Sequence, residues 1–328
     1  MKKNISSIAK IPDITLSNLY LRLFSEKNSL IIFLFHSVFL DKKERDKNLI
    51  DPKIGILINE FEKFIEYFYK NDYIFISYDK IINGLDENKK YIMLTFDDGY
   101  YNNINVLPIL EKYNIPSLFF VSTFNILNNQ GFWWDVLYRE RIKQEIPKKN
   151  LHFEQNYLKT CKHWEIIEYI KSRFGEDSYK PLNGIDRPFS IDELKNFSKE
   201  KYVSIGNHTS NHAILTNYET PEILSQISDA QKIIKMITGK NPICFSYPNG
   251  NYSNNIVKIT KDLGFKLGFT TDFKKNYLPL ETKNDDYMKL GRFSLFDNFE
   301  IENQCQLFRS DIVLYNRIWN FIKHNTKN

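Results

Sequence analysis

Tyr91-Ile92-Met93-Leu94-Thr95-Phe96-Asp97-Asp98-Gly99-Tyr100 passes from an apolar run straight into two adjacent carboxylates and a glycine. The run shows no polar alternation, so it reads as a strand buried on both faces, the kind found in parallel sheets. Parallel α/β folds gather their chemistry at the carboxyl ends of their strands. Neighbouring side chains of a strand point to opposite faces, but a turn at Gly99 brings both carboxylates toward one cavity. A metal that holds one of them leaves the other free as a base. The same residues also suit a polar turn that caps the next helix, and on this stretch alone both readings stand.

Outward from it, short apolar runs repeat. Further strands are expected over residues 30–35, 74–77, 117–121, 202–205, 243–246, 267–270 and 290–295, besides 91–96. Helical spacing lies between them. Phe61, Phe64, Ile65 and Phe68 mark one face, and Val106, Leu107, Leu110 and Tyr113 another. A third helix is expected over 221–237, with Thr220 as its N-cap and Gly239 after its end. Alternating strands and helices imply a parallel α/β architecture, either an open sheet or a barrel. Residues 128–188 break the alternation with helical, charged sequence around Trp133-Trp134-Asp135 and Trp164, too long for an ordinary connection and read as an insertion beside the site. The expected division is an N-terminal extension over 1–28, a main body over 29–300 and a helical tail over 301–328.

Two further strand ends carry chemistry. Gly206-Asn207-His208-Thr209-Ser210-Asn211-His212 follows the strand at 202–205, and histidines at i and i+4 on a helical turn project to the same side and can grip one ion. Two surface histidines in a loop is the plain alternative. The accompanying carboxylates favour the metal, and one Asp with two His suits Zn²⁺, Co²⁺, Ni²⁺ or Fe²⁺ while leaving positions open for water. Cys244-Phe245-Ser246-Tyr247-Pro248-Asn249-Gly250 describes a rigid turn at a third strand end, with Ser253 capping the next helix. Its backbone N–H groups near Asn249 could face a developing oxyanion, and Tyr247 is a candidate substrate contact.

Composition narrows the classes. The 328 residues carry a net charge of +5 with no dense Lys/Arg block, which gives no argument for nucleic acid. The three cysteines, Cys161, Cys244 and Cys305, are widely separated with no CxxC, which argues against a disulfide framework or a thiolate zinc site. Polar residues recur throughout positions 4–28, and the apolar run at 30–35 is too short to span a bilayer. The expected location is the cytoplasm, including the inner membrane surface as a peripheral protein.

Thr-Phe-Asp-Asp-Gly, His-Thr-x-x-His and Phe-Ser-Tyr-Pro-x-Gly, in that order, resemble the first three motifs of the polysaccharide deacetylases, the NodB-homology family of carbohydrate esterases. The likeness runs from about Leu30 to Leu295. It implies a deformed (β/α) barrel of about seven strands, a divalent metal (zinc foremost) on Asp98, His208 and His212, and Asp97 as general base. It implies an N-acetylated carbohydrate substrate from a cell-surface glycan or its precursor, against which Trp133 and Trp134 would stack on a sugar face, unless they lie in the core. The chain departs from the family pattern twice. An Arg that orients the base is missing from the third motif, and Arg292 in Gly291-Arg292-Phe293 is the candidate replacement. No C-terminal Leu-x-His follows; Leu34-Phe35-His36 closes the first strand instead, which resembles the circularly permuted members and makes His36 the expected general acid. Another non-peptide C–N hydrolase on the same fold, or a glycan-binding module without turnover, are the alternative readings.

Overall fold

The computed structural model describes residues 11–280, 285–295 and 300–311. Residues 1–10 of the expected extension and 312–328 of the expected tail lie outside them. In chain order the framework comprises α1 (Ile11–Leu23), β1 (Ser29–Phe35), β2 (Ser37–Phe39), β3 (Gly55–Leu57), α2 (Ile58–Tyr69), β4 (Ile74–Phe75) and β5 (Tyr91–Phe96). It continues with α3 (Leu107–Tyr113), β6 (Ser117–Val121), α4 (Trp133–Lys143), α5 (Lys148–Leu158), α6 (His163–Phe174) and β7 (Val203–Asn207). It ends with α7 (Thr220–Thr238), β8 (Cys244–Ser246), α8 (Asn254–Asp262), β9 (Leu267–Phe269), β10 (Asn276–Tyr277) and α9 (Ile301–Arg309).

The main sheet has eight strands in the order β10-β1-β5-β6-β7-β8-β9, with β4 also pairing β5. Every pair is parallel except β1 with β10, an antiparallel addition the sequence did not announce. β2 and β3 form a separate small ladder, also unforeseen. The run expected as a strand at 290–295 makes only isolated bridges, yet those bridges close the circle. Leu290 pairs with Phe269 of β9 and Phe293 with Phe33 of β1, with Leu290 N donating to Gly268 O and Phe293 N to Ile32 O. The architecture is thus the deformed (β/α) barrel, with its seam between β9 and β1 stitched by the segment that carries Arg292.

Sequence explains why the barrel holds. β1 is buried along its whole length, as a parallel central strand must be. The face of α2 read from its spacing, Phe61, Phe64, Ile65 and Phe68, is buried against β1 and β5. The rings of Phe33 and Phe64 meet edge to face at 4.5 Å, and those of Phe96 and Phe119 stack at 4.6 Å. Truncating one such buried Phe to Ala costs about 3–5 kcal/mol. α7 starts one residue earlier than expected, with Glu219 rather than Thr220 as N-cap, and ends at Gly239 in the left-handed conformation. Residues 128–188 hold α4, α5 and α6, which bury Val136, Leu137, Leu151, Leu158, Ile166 and Ile170 among themselves. The chain then returns to the Asp-Asp-Gly-Tyr loop, where Tyr101 N donates to Arg187 O and Phe189 N to Gly99 O.

Candidate active site

The site is built at the carboxyl ends of β1, β5, β7 and β8. Asp97 and Asp98 leave β5 through a turn that needs Gly99: its φ is +87°, and a Cβ there would press on Val121 of β6 at 3.1 Å. Asp98 itself sits at φ +76°, and Thr209 and His212 at +65° and +52°. A left-handed non-glycine residue costs of order 1–3 kcal/mol and persists only where its surroundings impose it. Three of them in one site mark backbone bent to aim side chains.

The two carboxylates fare differently. Asp97 is buried and held by three donor bonds, which leave a lone pair on Oδ1. Arg292 grips it with two parallel bonds, Nη1 to Oδ1 and Nη2 to Oδ2, both 2.8 Å. The Ser246 hydroxyl lies 3.0 Å from Oδ2 and accepts from Arg292 Nη2 at 2.9 Å. The remaining guanidinium bonds run to Thr95 Oγ1 and the Thr270 carbonyl. Burial pushes the Asp97 carboxyl up, but Arg292, and then His208, more than reverse this and hold it well below the usual carboxylate range.

Asp98 is equally buried, and its Oδ1 has no hydrogen-bond partner. Toward that atom point His208 Nε2 at 3.5 Å and His212 Nε2 at 3.4 Å. One ligand atom from each of the three residues falls within 4.8 Å of the others. His208 Nδ1 lies 2.8 Å from the Ser246 carbonyl, an acceptor, so that nitrogen carries a proton. Burial works against a second proton on Nε2, but Asp97 and Asp98 outweigh it and raise this imidazole above its ordinary value, and a cation at Nε2 would take that proton's place. Burial drives His212 down to about 3, which keeps its imidazole neutral and able to ligate. An orphaned carboxylate oxygen facing two imidazole nitrogens is a donor set suited to a divalent transition-metal ion.

The histidines do not stand on a helical turn, as their spacing suggested. Residues 208–214 form a loop after β7, without helix. Asn207 Oδ1 accepts from Thr209 N, Thr209 Oγ1 from Ala213 N, and the Ser122 hydroxyl donates to the His208 carbonyl. Those bonds and the two left-handed residues bring the Nε2 atoms together where α-helical geometry does not.

His36 follows β1, half-buried, beside Asp97: Phe35 pairs with Phe96, and Asp97 N donates to the Phe35 carbonyl at 2.9 Å. It is not among the three converging ligands, but it lies close enough to interact electrostatically with Asp97, Asp98 and His212. Asn249 lies on the turn after β8, exposed and left-handed at φ +56°. Tyr247 does not line the cleft. Alternation along β8 sends Ser246 into the site and Phe245 and Tyr247 the other way, into the packing with Ile256, Val257 and Phe265. Trp133 is likewise a core residue, packed among the side chains of α4, α5 and α6. Trp134 reaches the site: its ring lies 4.6 Å from that of His212, stacked on Phe132, and its Nε1 donates to the Tyr100 hydroxyl at 2.8 Å. Tyr100 in turn donates to Asp135 at 2.6 Å, and burial pushes Asp135 well above the usual carboxylate range. Ser246, Tyr100 and Asp135 went unassigned in the sequence. A lone hydroxyl between Phe245 and Tyr247 was the available signal for the first of them.

Comparison with known proteins follows the same lines. The polysaccharide deacetylase family profile matches residues 84–268. YxkH of Bacillus subtilis (strain 168), which bears the name of a polysaccharide deacetylase, is 21% identical over 246 residues. That match covers 74% of this chain but 64% of YxkH, so the chain spans just under two thirds of that relative. Among solved structures, the Streptococcus pyogenes deacetylase PplD in complex with acetate aligns with TM-score 0.58 at 18% identity, over 86% of this chain and 99% of its own. IcaB from Ammonifex degensii aligns with TM-score 0.59 at 16% identity, over 87% and 99%. These two likenesses are of fold. With the family profile spanning more than half of its residues and its barrel shared with solved deacetylases, the chain belongs to the polysaccharide deacetylase family.

Proposed function

We propose that this protein is a metal-dependent hydrolase that removes the N-acetyl group from an N-acetylated sugar of a cell-surface glycan or its precursor. The observation that carries the reading is the division of labour between adjacent carboxylates: Asp97 held by Arg292 and Ser246, Asp98 Oδ1 orphaned before two imidazoles. Asp98, His208 and His212 hold one divalent ion, with zinc the best match to one carboxylate and two imidazoles. Such an ion supplies a Lewis acid for the acetamide carbonyl and lowers the pKa of a water. Asp97 takes the proton of the attacking water. The Arg292 fork fixes the plane in which the Asp97 lone pairs point, which is the work assigned elsewhere in the family to the third-motif Arg. A backbone N–H near Asn249 faces the developing oxyanion. His36 donates a proton to the departing amine, which otherwise leaves poorly. Trp134, fixed against His212, offers the sugar an aromatic face.

The same reading divides the chain into an extension over 1–28, the barrel over 29–300 with its insertion at 128–188, and a tail over 301–328. It places the protein in the cytoplasm or at the inner membrane surface. Among the described residues no helix is long and apolar enough to cross a membrane. The test is acetate release from an N-acetylhexosamine oligomer, before and after chelation and after Zn²⁺ is restored. Release that chelation abolishes and zinc restores supports the reading; release indifferent to chelation, or none from any N-acetyl sugar, overturns it.

A further inference from the structure

Three asparagines on the short 3₁₀ helix after the Asp-Asp-Gly-Tyr loop, Tyr101–Val106, reach across to the segment that carries His36. Asn103 Nδ2 donates to the His36 carbonyl. Asn102 Nδ2 donates to the Ser37 hydroxyl at 2.6 Å, and its Oδ1 accepts from Val38 N at 3.3 Å. Asn105 Nδ2 donates to the Val38 carbonyl at 3.1 Å. One residue upstream, Asp97 N holds the Phe35 carbonyl. Four consecutive residues, 35 to 38, are thus gripped by side chains and backbone of one short stretch that begins at Asp97.

Asn103 is the informative member. It is 1% exposed, and while its amide nitrogen is spent on His36, its Oδ1 is buried with no partner. A buried acceptor left unmade costs about 1–3 kcal/mol, and an isosteric leucine would avoid that cost. An asparagine whose acceptor is left unmade suits a site that needs its N–H. Ordinary strand pairing cannot supply that bond, because β1 ends at Phe35 and β2 begins at Ser37, and His36 lies between the two ladders.

We infer that Asn103 is a positioning residue: its bond to the His36 carbonyl sets the imidazole of His36 against Asp97, so that the proton donor and the proton acceptor of the reaction are registered by one loop. The inference rests on the proposed deacetylation and on His36 as its acid.

The experiment exploits the leaving group. Acetamide cleavage needs a proton on the departing amine; 4-nitrophenyl acetate gives acetate and a nitrophenolate that leaves unprotonated. Asn103→Ala should lower kcat for acetate release from an N-acetylhexosamine oligomer by roughly 10-fold or more, up to the roughly 10²–10⁴-fold that loss of the acid itself would cost. It should change 4-nitrophenyl acetate hydrolysis by less than about 3-fold, and bound metal not at all. His36→Ala should show the same selectivity, and His36→Ala/Asn103→Ala should be no worse than His36→Ala, since coupled residues are not additive. Should Asn103→Ala fail to fold, Asn103→Leu removes the donor and the orphaned acceptor together and decides the matter. Equal losses on both substrates reduce Asn103 to a structural residue, and no loss on either removes it from the reaction. If the wild type releases no acetate from any N-acetyl sugar, the functional reading falls and the positioning role with it; if the wild type releases acetate and Asn103→Ala and Asn103→Leu match it, only the positioning role falls.

Discussion

The two ends of the barrel both bury charge, and they do it differently. At the amino ends of the strands, Glu26 receives Arg309 at 2.8 Å, Lys90 at 2.9 Å and the Tyr73 hydroxyl, while Arg309 also meets Tyr67 and Asn71. Lys275 pairs with Asp311 at 2.9 Å and donates to the Arg309 carbonyl. These groups tie the segments flanking α1 and α9 to the base of the sheet, and each one is answered by another. At the carboxyl ends Asp97 is answered in the same way, but Asp98 Oδ1 is not, and the two groups nearest to it are imidazoles. A complete ion-pair network holds a fold together; a buried anion left incomplete beside two imidazole nitrogens is a place for a cation. Removing groups at the base should therefore cost stability, and removing them at the rim should cost chemistry, with Arg292 belonging to both.

Arg292 should give the largest effect. Arg292→Ala leaves Asp97 buried and unpaired, which costs about 3–5 kcal/mol and abolishes catalysis besides. Chemical denaturation and a turnover assay on the same preparation would show both losses. A variant as stable as the wild type would show that Asp97 finds other donors and would blur the line between the two ends. Asp97→Asn comes next: bound metal stays near wild type, while kcat falls roughly 10²-fold or more. Near wild-type turnover would deny Asp97 the role of base.

His36→Ala should keep metal and fold and lose most deacetylation, roughly 10²-fold. A general acid works only while protonated, so the wild-type rate falls as pH rises through its pKa, and the variant should lack that alkaline limb. A limb that survives in the variant belongs to another group.

The base gives the smallest effect, and one of stability alone. Burial raises the Glu26 carboxyl, but the bonds from Arg309, Tyr73 and Lys90 prevail and lower it from its ordinary 4.5 to about 2. A depressed carboxyl stabilises the fold fully above its unfolded value and loses that contribution as pH falls through the folded one. Stability should therefore decline between about pH 4.5 and pH 2, and Glu26→Gln should remove about 2 kcal/mol of that slope after allowance for solvent screening. An unchanged acid profile in Glu26→Gln would show that the cluster adds nothing.

Much of the rim was legible in the sequence because its residues lie next to strong patterns. Asp97 and Asp98 end an unbroken apolar run, and His208 and His212 follow another, so strand ends could be located before any geometry was known. The helical turn assumed for the histidines was wrong because spacing of i and i+4 does not distinguish a helix from a loop bent by left-handed residues. Tyr247 was misplaced because the parity of β8 depends on where its three residues begin, and a shift by one exchanges inside for outside. Trp133 and Trp134, alike in sequence, divide between the packing of α4, α5 and α6 and the site because one helix face cannot hold both. Arg292 could be named as a candidate for the missing third-motif Arg, but its fork joins residues that are 195 apart, and the bond itself follows only from the closing of the barrel seam. The base was not legible at all: Glu26, Lys90 and Arg309 are ordinary surface-type residues until the fold brings them together.

The account rests on the orphaned oxygen of Asp98 being the mark of a metal site, and the most direct test is elemental analysis of the purified protein beside its His208→Ala/His212→Ala variant. The wild type should carry close to one divalent ion per chain, zinc foremost, and the variant, still folded by circular dichroism, essentially none. Undiminished, stoichiometric metal in the variant would contradict the account.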